Sequence, residues 1–450
     1  MAHGLLENVF KNPLNDLLPT NRNRQQSTVN YYGLLKMFAM KTFDVPSIYR
    51  SSLISAIKKT RKEADRMKRD FTPTLLNFGP LRIYLARHFG FCYGVENAID
   101  IAFRTIDENK GRRIFFLSEM IHNPQVNGDL KKQGVQFLQD NSGNQLIPFE
   151  HLTSKDIVLI PAFGTTLAIE KDLRARGIAV ENYNTTCPFV EKVWNRSDAI
   201  AKKRHTIIIH GKPTHEETRA TFSHAAAGAP SVVVKDMQQA QRLARYILGA
   251  ESAADFYVEF KDQYSEGFDA TNDLARIGVV NQTTMLASDT QAIADFLRDT
   301  IIRKYNLTEE TVQQHFADTR DTLCYATNDN QSAVSGMLQM DADLAIVVGG
   351  YKSSNTSHLA ELCEEKLPAY YIESDAKMLS AQTILHYNFH NNTELLTENY
   401  LPQKNPTTVL ITSGASCPDA VVEGVIKKLA GFFPDSKTID DVAQNFFKTP

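Results

Sequence analysis

Three cysteines sit in stretches of similar character: Gly90-Phe91-Cys92-Tyr93-Gly94-Val95, Thr185-Thr186-Cys187-Pro188-Phe189-Val190 and Thr322-Leu323-Cys324-Tyr325-Ala326-Thr327. Each is followed after 28 to 30 residues by a polar loop, around His122, His215 and Ser353 respectively. One buried cysteine is most simply a small core residue. Three at matched positions of a repeated unit suit a shared inorganic centre instead. Zinc in a closed site wants a fourth protein ligand, and no Cys-x-x-Cys pair or fourth matched position supplies one. Three thiolates suit a cubane iron–sulfur cluster with one open iron, although four cysteine ligands are commoner. An open iron can act as a Lewis acid on a substrate oxygen. A helix amino end beside each cysteine favours the thiolate. Cys363 and Cys417 fall outside the pattern, and Cys363, on an apolar helical run, reads as a packing residue.

The polar loops form a second group. Ser353, Ser354, Asn355 and Ser416 are small donors in glycine-flanked loops ahead of helices. That arrangement either cradles phosphate or simply caps a helix. His122 and His215, at matched repeat positions, add two donors whose protonated form suits an anion. Glu217, two residues after His215, is the carboxylate best placed for proton transfer, because a buried carboxyl beside an anion keeps a proton it can deliver. Glu216 competes for that role, and geometry has to decide between them.

The elements that must position these residues alternate between strand and helix. Leu81–Ala86 leads to Cys92, Arg113–Leu117 to His122, and Ile157–Ile160 to Pro161-Ala162-Phe163-Gly164. In the second unit Gly177–Val180 leads to Cys187, Thr206–Ile209 to His215, and Ile277–Val280 to Asn281-Gln282-Thr283-Thr284. In the third, the strand before Cys324 is poor, but Asp343–Val348 ends at Gly349-Gly350 and Thr408–Ile411 opens onto Thr412-Ser413-Gly414-Ala415-Ser416. The acidic stretch from Glu251 to Asp273 reads as a surface insertion. Alternating β and α segments imply mostly parallel sheets, with ligands beyond the carboxyl ends of the strands. Three such units around a pseudo-threefold axis would point their loops at one cavity.

A chain of 450 residues, 42% hydrophobic and 22% charged, has the composition of an ordinary globular protein of two to four domains. A formal net charge of −3 gives no support for a nucleic-acid partner. No apolar run reaches the roughly 18 residues of a membrane span. Five cysteines do not make a disulfide scaffold in so long a chain. Neither Gly-x-x-x-x-Gly-Lys-Ser/Thr nor Gly-x-Gly-x-x-Gly occurs, so nucleotide-binding folds lack their signature. The expected division is an N-terminal extension over 1–78 with a basic helix at 52–70, an α/β domain over 79–180 completed by a C-terminal segment, a second over 181–310, and a third over 311–450. The opening residues read as a mobile arm or, against their Glu7 and Asp16, a transit peptide, with Met37 and Met40 as alternative starts.

With these residues assembled, the chain resembles the LytB/IspH family, the 4-hydroxy-3-methylbut-2-enyl diphosphate reductases of the non-mevalonate isoprenoid pathway. The matching stretches are GFCYGV, IHNPQV, NTTCPFV, HGKPTHEET, NQTTM, DTLCYAT, KSSNTSHLAEL and TSGASCPD, between about Leu81 and Phe433. The resemblance implies three α/β domains in a trefoil around a [4Fe–4S] cluster held by Cys92, Cys187 and Cys324. It implies diphosphate binding by His122, His215, Ser353, Ser354, Asn355 and Ser416, a substrate-hydroxyl contact from Thr283, and proton supply from Glu217. The reaction so implied is reductive dehydroxylation to isopentenyl and dimethylallyl diphosphate. Its electrons would come from a ferredoxin or flavodoxin type donor, in the cytoplasm of a bacterium or in a plastid stroma if a transit peptide is present; a homodimer is left open. The HEET loop is that of the plant-like and cyanobacterial-like branch. Phe163 stands where many members have His, and Asn330 where an Arg is common. An iron–sulfur hydro-lyase and a non-catalytic iron–sulfur sensor are the alternatives; Glu217 and Thr283 beside the diphosphate set speak against the sensor.

Overall fold

The continuous apolar runs become parallel strands in the computed structural model, which describes residues 42–317 and 322–447. The largest sheet has five strands in the order Thr74–Asn77, Leu81–Leu85, Thr407–Ser413, Leu344–Val348 and Ala369–Ile372. All its neighbours are parallel except the first pair. Thr407–Ser413 and Leu344–Val348 are buried at every position, as central strands covered on both faces must be. A three-stranded parallel sheet is built from Gln136–Phe137, Ile114–Phe116 and Ile157–Leu159. A four-stranded parallel sheet is built from Ser231–Val234, Thr206–His210, Ile277–Asn281 and Phe316–Ala317. Each sheet has its own apolar core. An antiparallel hairpin, Thr383–Asn388 with Thr393–Glu398, forms a separate two-stranded sheet whose Ile384 joins the core of the five-stranded one.

Four local readings change. The strand Leu81–Leu85, counted above with the first repeat, pairs with Thr407–Ser413, so it belongs to the sheet of the third. Gly177–Val180 forms no strand. Ile178 and Val180 are buried at alternate positions, which imitates one, but the chain turns through a 3-10 segment at Val180–Tyr183, and Asn184 makes a single parallel bridge to Ile160. The basic helix is shorter than 52–70: it spans Ser52–Ala64, is capped by Ser51 Oγ accepting from Ile54 N at 2.9 Å, and ends at Asp65. Its Leu53, Ile54 and Ile57 join the core of the five-stranded sheet. The stretch 251–273 is more than a surface insertion, because Phe256, Phe260 and Phe268 lie buried in the core of the four-stranded sheet. The arm, transit-peptide and alternative-start readings of the opening residues fall on 1–41, outside the described residues.

The connections have one pattern. From Leu81–Leu85 of the five-stranded sheet the chain passes Cys92, runs a helix over Tyr93–Glu108 and enters the three-stranded sheet at Ile114. From Asn184, bridged to that sheet's margin, it passes Cys187, runs Pro188–Ala201 and enters the four-stranded sheet at Thr206. From Phe316–Ala317 of that sheet it reaches Cys324, runs Tyr325–Met337 and returns to the five-stranded sheet at Leu344. Each cysteine therefore lies at a seam between two sheets.

Candidate functional site

Three helices begin at the three cysteines. Cys92, Cys187 and Cys324 are the N-cap residues of Tyr93–Glu108, Pro188–Ala201 and Tyr325–Met337, each with the extended backbone a cap requires. Their positions are tied to loops of other elements: Cys92 N donates to Ala415 O at 3.2 Å, and Cys187 N donates to Ala162 O at 2.9 Å. Cys324 Sγ accepts from Thr327 N at 3.2 Å. Close approach is secured by a missing side chain, for a Cβ at Gly94 would lie 2.5 Å from Cys187 Sγ. Thr327 and Gly94 were not singled out from the sequence; their offsets of three and two residues from a cysteine were the available signal.

One cavity of about 90 Å³ collects all eleven predicted residues. Its walls carry Cys92, Cys187 and Cys324, then Glu217 and Thr283, then His122, His215, Ser353, Ser354, Asn355 and Ser416. Of the two neighbouring carboxylates, Glu217 lines it and Glu216 does not. Glu216 is buried too, with Oε2 2.9 Å from His122 Nε2.

The donor end is built from helix starts and loops. Ser353 caps Ser354–Glu364, with Oγ accepting from Thr356 N at 3.3 Å, so the capping reading holds for this one residue. Its neighbours are different. Ser354 Oγ and Asn355 Nδ2 are buried without a hydrogen-bond partner, while Asn355 Oδ1 is engaged by Ala415 N at 3.0 Å and by Asn330 Nδ2 at 3.4 Å. Buried orphan donors are costly unless a ligand satisfies them. Ser416 Oγ donates to His122 O at 3.2 Å, and Gly350 lets its loop pack against the same carbonyl. His215 Nδ1 accepts from Glu217 N at 3.2 Å, so the neutral ring carries its proton on Nε2. Burial first, then His122, pushes His215 well below the usual imidazole range. Phe163 stacks on His122 with ring centroids 4.3 Å apart. It supplies an apolar wall where a further histidine would have supplied a donor.

Glu217 is a buried carboxyl held by Thr283. Its Oε1 accepts from Thr283 N at 2.5 Å and its Oε2 from Thr283 Oγ1 at 3.0 Å. Burial raises its pKa from the ordinary carboxylate value to about 7, against the opposing pull of those two bonds. The thiols behave differently from the thiolate expectation. Burial pushes Cys92 up to about 12, with Cys324 adding to the shift, and it raises Cys187 and Cys324 as well. Helix amino ends do not overcome burial here, so three thiolates in this cavity require a cationic centre. No three His, Cys, Asp or Glu side chains among the described residues close on a single metal ion. Three thiols spread around one cavity, each from a different seam, fit a polynuclear centre with several metal corners better than one ion.

Fold and site together define an α/β protein of three mostly parallel sheets whose loops enclose a thiol-lined cavity with unpartnered polar donors. The LytB protein family profile matches residues 83–430. The 4-hydroxy-3-methylbut-2-enyl diphosphate reductase of a Picosynechococcus species is 38% identical over 384 residues, 85% of this chain and 89% of its own length. That of Gloeobacter violaceus is 37% identical over 389 residues, 86% and 88% of the two chains. The solved E-1-hydroxy-2-methyl-but-2-enyl-4-diphosphate reductase of Plasmodium falciparum has the same fold, with a TM-score of 0.55 at 21% identity, covering 78% of this chain and 89% of that one. The chain belongs to the LytB protein family. Among the described residues no helix is long and apolar enough to cross a membrane.

Proposed function

We propose that this protein reduces 4-hydroxy-3-methylbut-2-enyl diphosphate to isopentenyl and dimethylallyl diphosphate, taking up two electrons and two protons and releasing water. The observation that carries the reading is the single cavity joining three thiols, a protonatable carboxyl and a set of anion donors. Cys92, Cys187 and Cys324 would hold an iron–sulfur cluster, which supplies electrons and a Lewis-acidic metal corner. The diphosphate takes up the orphan donors Ser354 Oγ and Asn355 Nδ2, with His122, His215, Ser353 and Ser416 around it. A dianionic or trianionic group needs such fixed donors, since they bind it without reorganising. Neutral His215, with Nδ1 engaged by Glu217 N, keeps its proton on Nε2 as a donor for the ligand.

Thr283 orients the allylic hydroxyl, and Glu217 drives its loss. With its proton in place, Glu217 donates to Thr283 Oγ1 across the 3.0 Å contact, and the threonine proton turns toward the substrate oxygen. The leaving group departs as water rather than hydroxide. The allyl fragment left after two electrons takes its second proton at carbon, and which carbon receives it sets the product. Buried walls keep bulk water from competing as the acid. The electron donor is of the ferredoxin or flavodoxin type. Anaerobic purification with iron and sulfide analysis, then assay with reduced viologen and the diphosphate substrate, tests the proposal. A cluster-loaded protein that leaves the substrate unreduced overturns it.

A further inference from the structure

On the other side of Cys92 lies a second cavity, of about 240 Å³, that opens through a basic rim. Lys58, Lys62, Arg66, Lys68 and Arg87 line it with Cys92. Cys92 is therefore a shared wall, facing the three-thiol cavity on one side and this basic opening on the other. The charge is local. Residues 52–70 hold seven basic residues against three acidic ones, a balance of +4 in a chain whose total is −3. Part of it is answered internally, by Lys58–Asp419 at 2.7 Å, Arg61–Asp70 at 2.9 Å and Lys68–Asp329 at 3.0 Å. Lys62 and Arg66 are exposed and make no ion pair among the described residues. Buried Arg87 adds positive charge to the lining, and Met67, 70% exposed, lies in the chain between the lining residues Arg66 and Lys68.

Resting on the reductase reading, we propose that this face docks an acidic one-electron carrier protein, which delivers two electrons per turnover, one at a time, across the Cys92 wall. Each delivery oxidises the carrier by one electron and reduces the site by one. Charge complementarity selects the partner and speeds encounter, and the exposed methionine supplies an apolar contact. The position suits transfer because Cys92 lines both the three-thiol cavity and the basic one.

The test uses the cluster-loaded full chain and a plant-type [2Fe–2S] ferredoxin as probe, under anaerobic conditions. Calorimetric binding is compared between wild type and Lys62→Glu/Arg66→Glu at low and high salt. The proposal expects the double variant to bind about tenfold or more weakly, the wild-type affinity to fall with salt, and turnover with reduced viologen to be unchanged. Carbodiimide coupling of the wild-type pair should join ferredoxin carboxylates to lysines within 58–68. Equal affinity of the two proteins, salt-independent binding, or couplings confined to other faces overturns it. So does capture of a single-stranded RNA oligomer in place of ferredoxin. If ferredoxin binding responds to the charges but neither viologen nor ferredoxin supports turnover, the reductase reading fails and the docking surface stands.

Discussion

Replacing Gly94 with alanine probes the thiol geometry directly. The new Cβ would lie 2.5 Å from Cys187 Sγ and 3.2 Å from Cys187 Cβ. Non-bonded contact settles at about 3.5–4 Å, so the sulfur must withdraw by roughly 1 Å or rotate away. Ligand geometry tolerates displacements of about 0.5 Å. The fold itself has less to lose. Gly94 sits in the first turn of Tyr93–Glu108, where alanine improves helix propensity by up to about 1 kcal/mol, against about 1–3 kcal/mol for overpacking. Gly94→Ala should therefore fold, with a net loss of about 0–2 kcal/mol, yet bind iron about 10–100-fold more weakly, as ligand-positioning changes do. Anaerobic reconstitution with iron and sulfide counted per chain, beside thermal unfolding of the metal-free protein, measures both. Gly128→Ala, whose Cβ would meet nothing within 4 Å, is the control. Wild-type iron and sulfide content in Gly94→Ala would refute the packing argument.

Four further outcomes are expected. Glu217→Gln should lower kcat about 10²–10⁴-fold with little change in thermal stability, because a glutamine can still pair with Thr283; turnover within threefold of wild type would end the proton-donor role. The acid form of Glu217 is the active one, so the wild-type rate should be level below pH of about 7 and fall as pH rises through that value, a limb that is absent in Glu217→Gln. Ser354→Ala should raise KM about tenfold or more while leaving the ligand-free protein as stable or more so, since the lost hydroxyl is an orphan there; reduced stability with unchanged KM would contradict that reading. Phe256→Ala should cost about 3–5 kcal/mol in chemical unfolding, because its ring is fully buried beside Phe260 and Phe268; a loss below 1 kcal/mol would restore the surface-insertion view.

What could be read from the sequence was set by locality. Parallel central strands such as Leu344–Val348 are apolar at every position, so they stand out without knowledge of their partners. The cysteine register and the helix starts beside it are local too, and they led to one cavity. Pairing is not local: nothing within Leu81–Leu85 says that it lies beside Thr407–Ser413, more than 300 residues away. Alternate burial at Ile178 and Val180 resembles a strand although no strand partner is available there. Phenylalanines spaced among acidic residues in 251–273 were masked by the charge around them. The contacts that hold the site together, Gly94 against Cys187 and Asn330 on Asn355, depend on close approach between distant elements.

The placing of the cysteines at the three seams has a mechanical consequence. Any inorganic group gripping all three thiols would act as a clasp, fastening each sheet to the next at one central point. Its departure would release the three junctions together while each sheet kept its own apolar interior. Oxidative damage at the centre should then show itself first as hinge-like freedom between lobes, with proteases finding the connecting segments well before the lobes themselves melt.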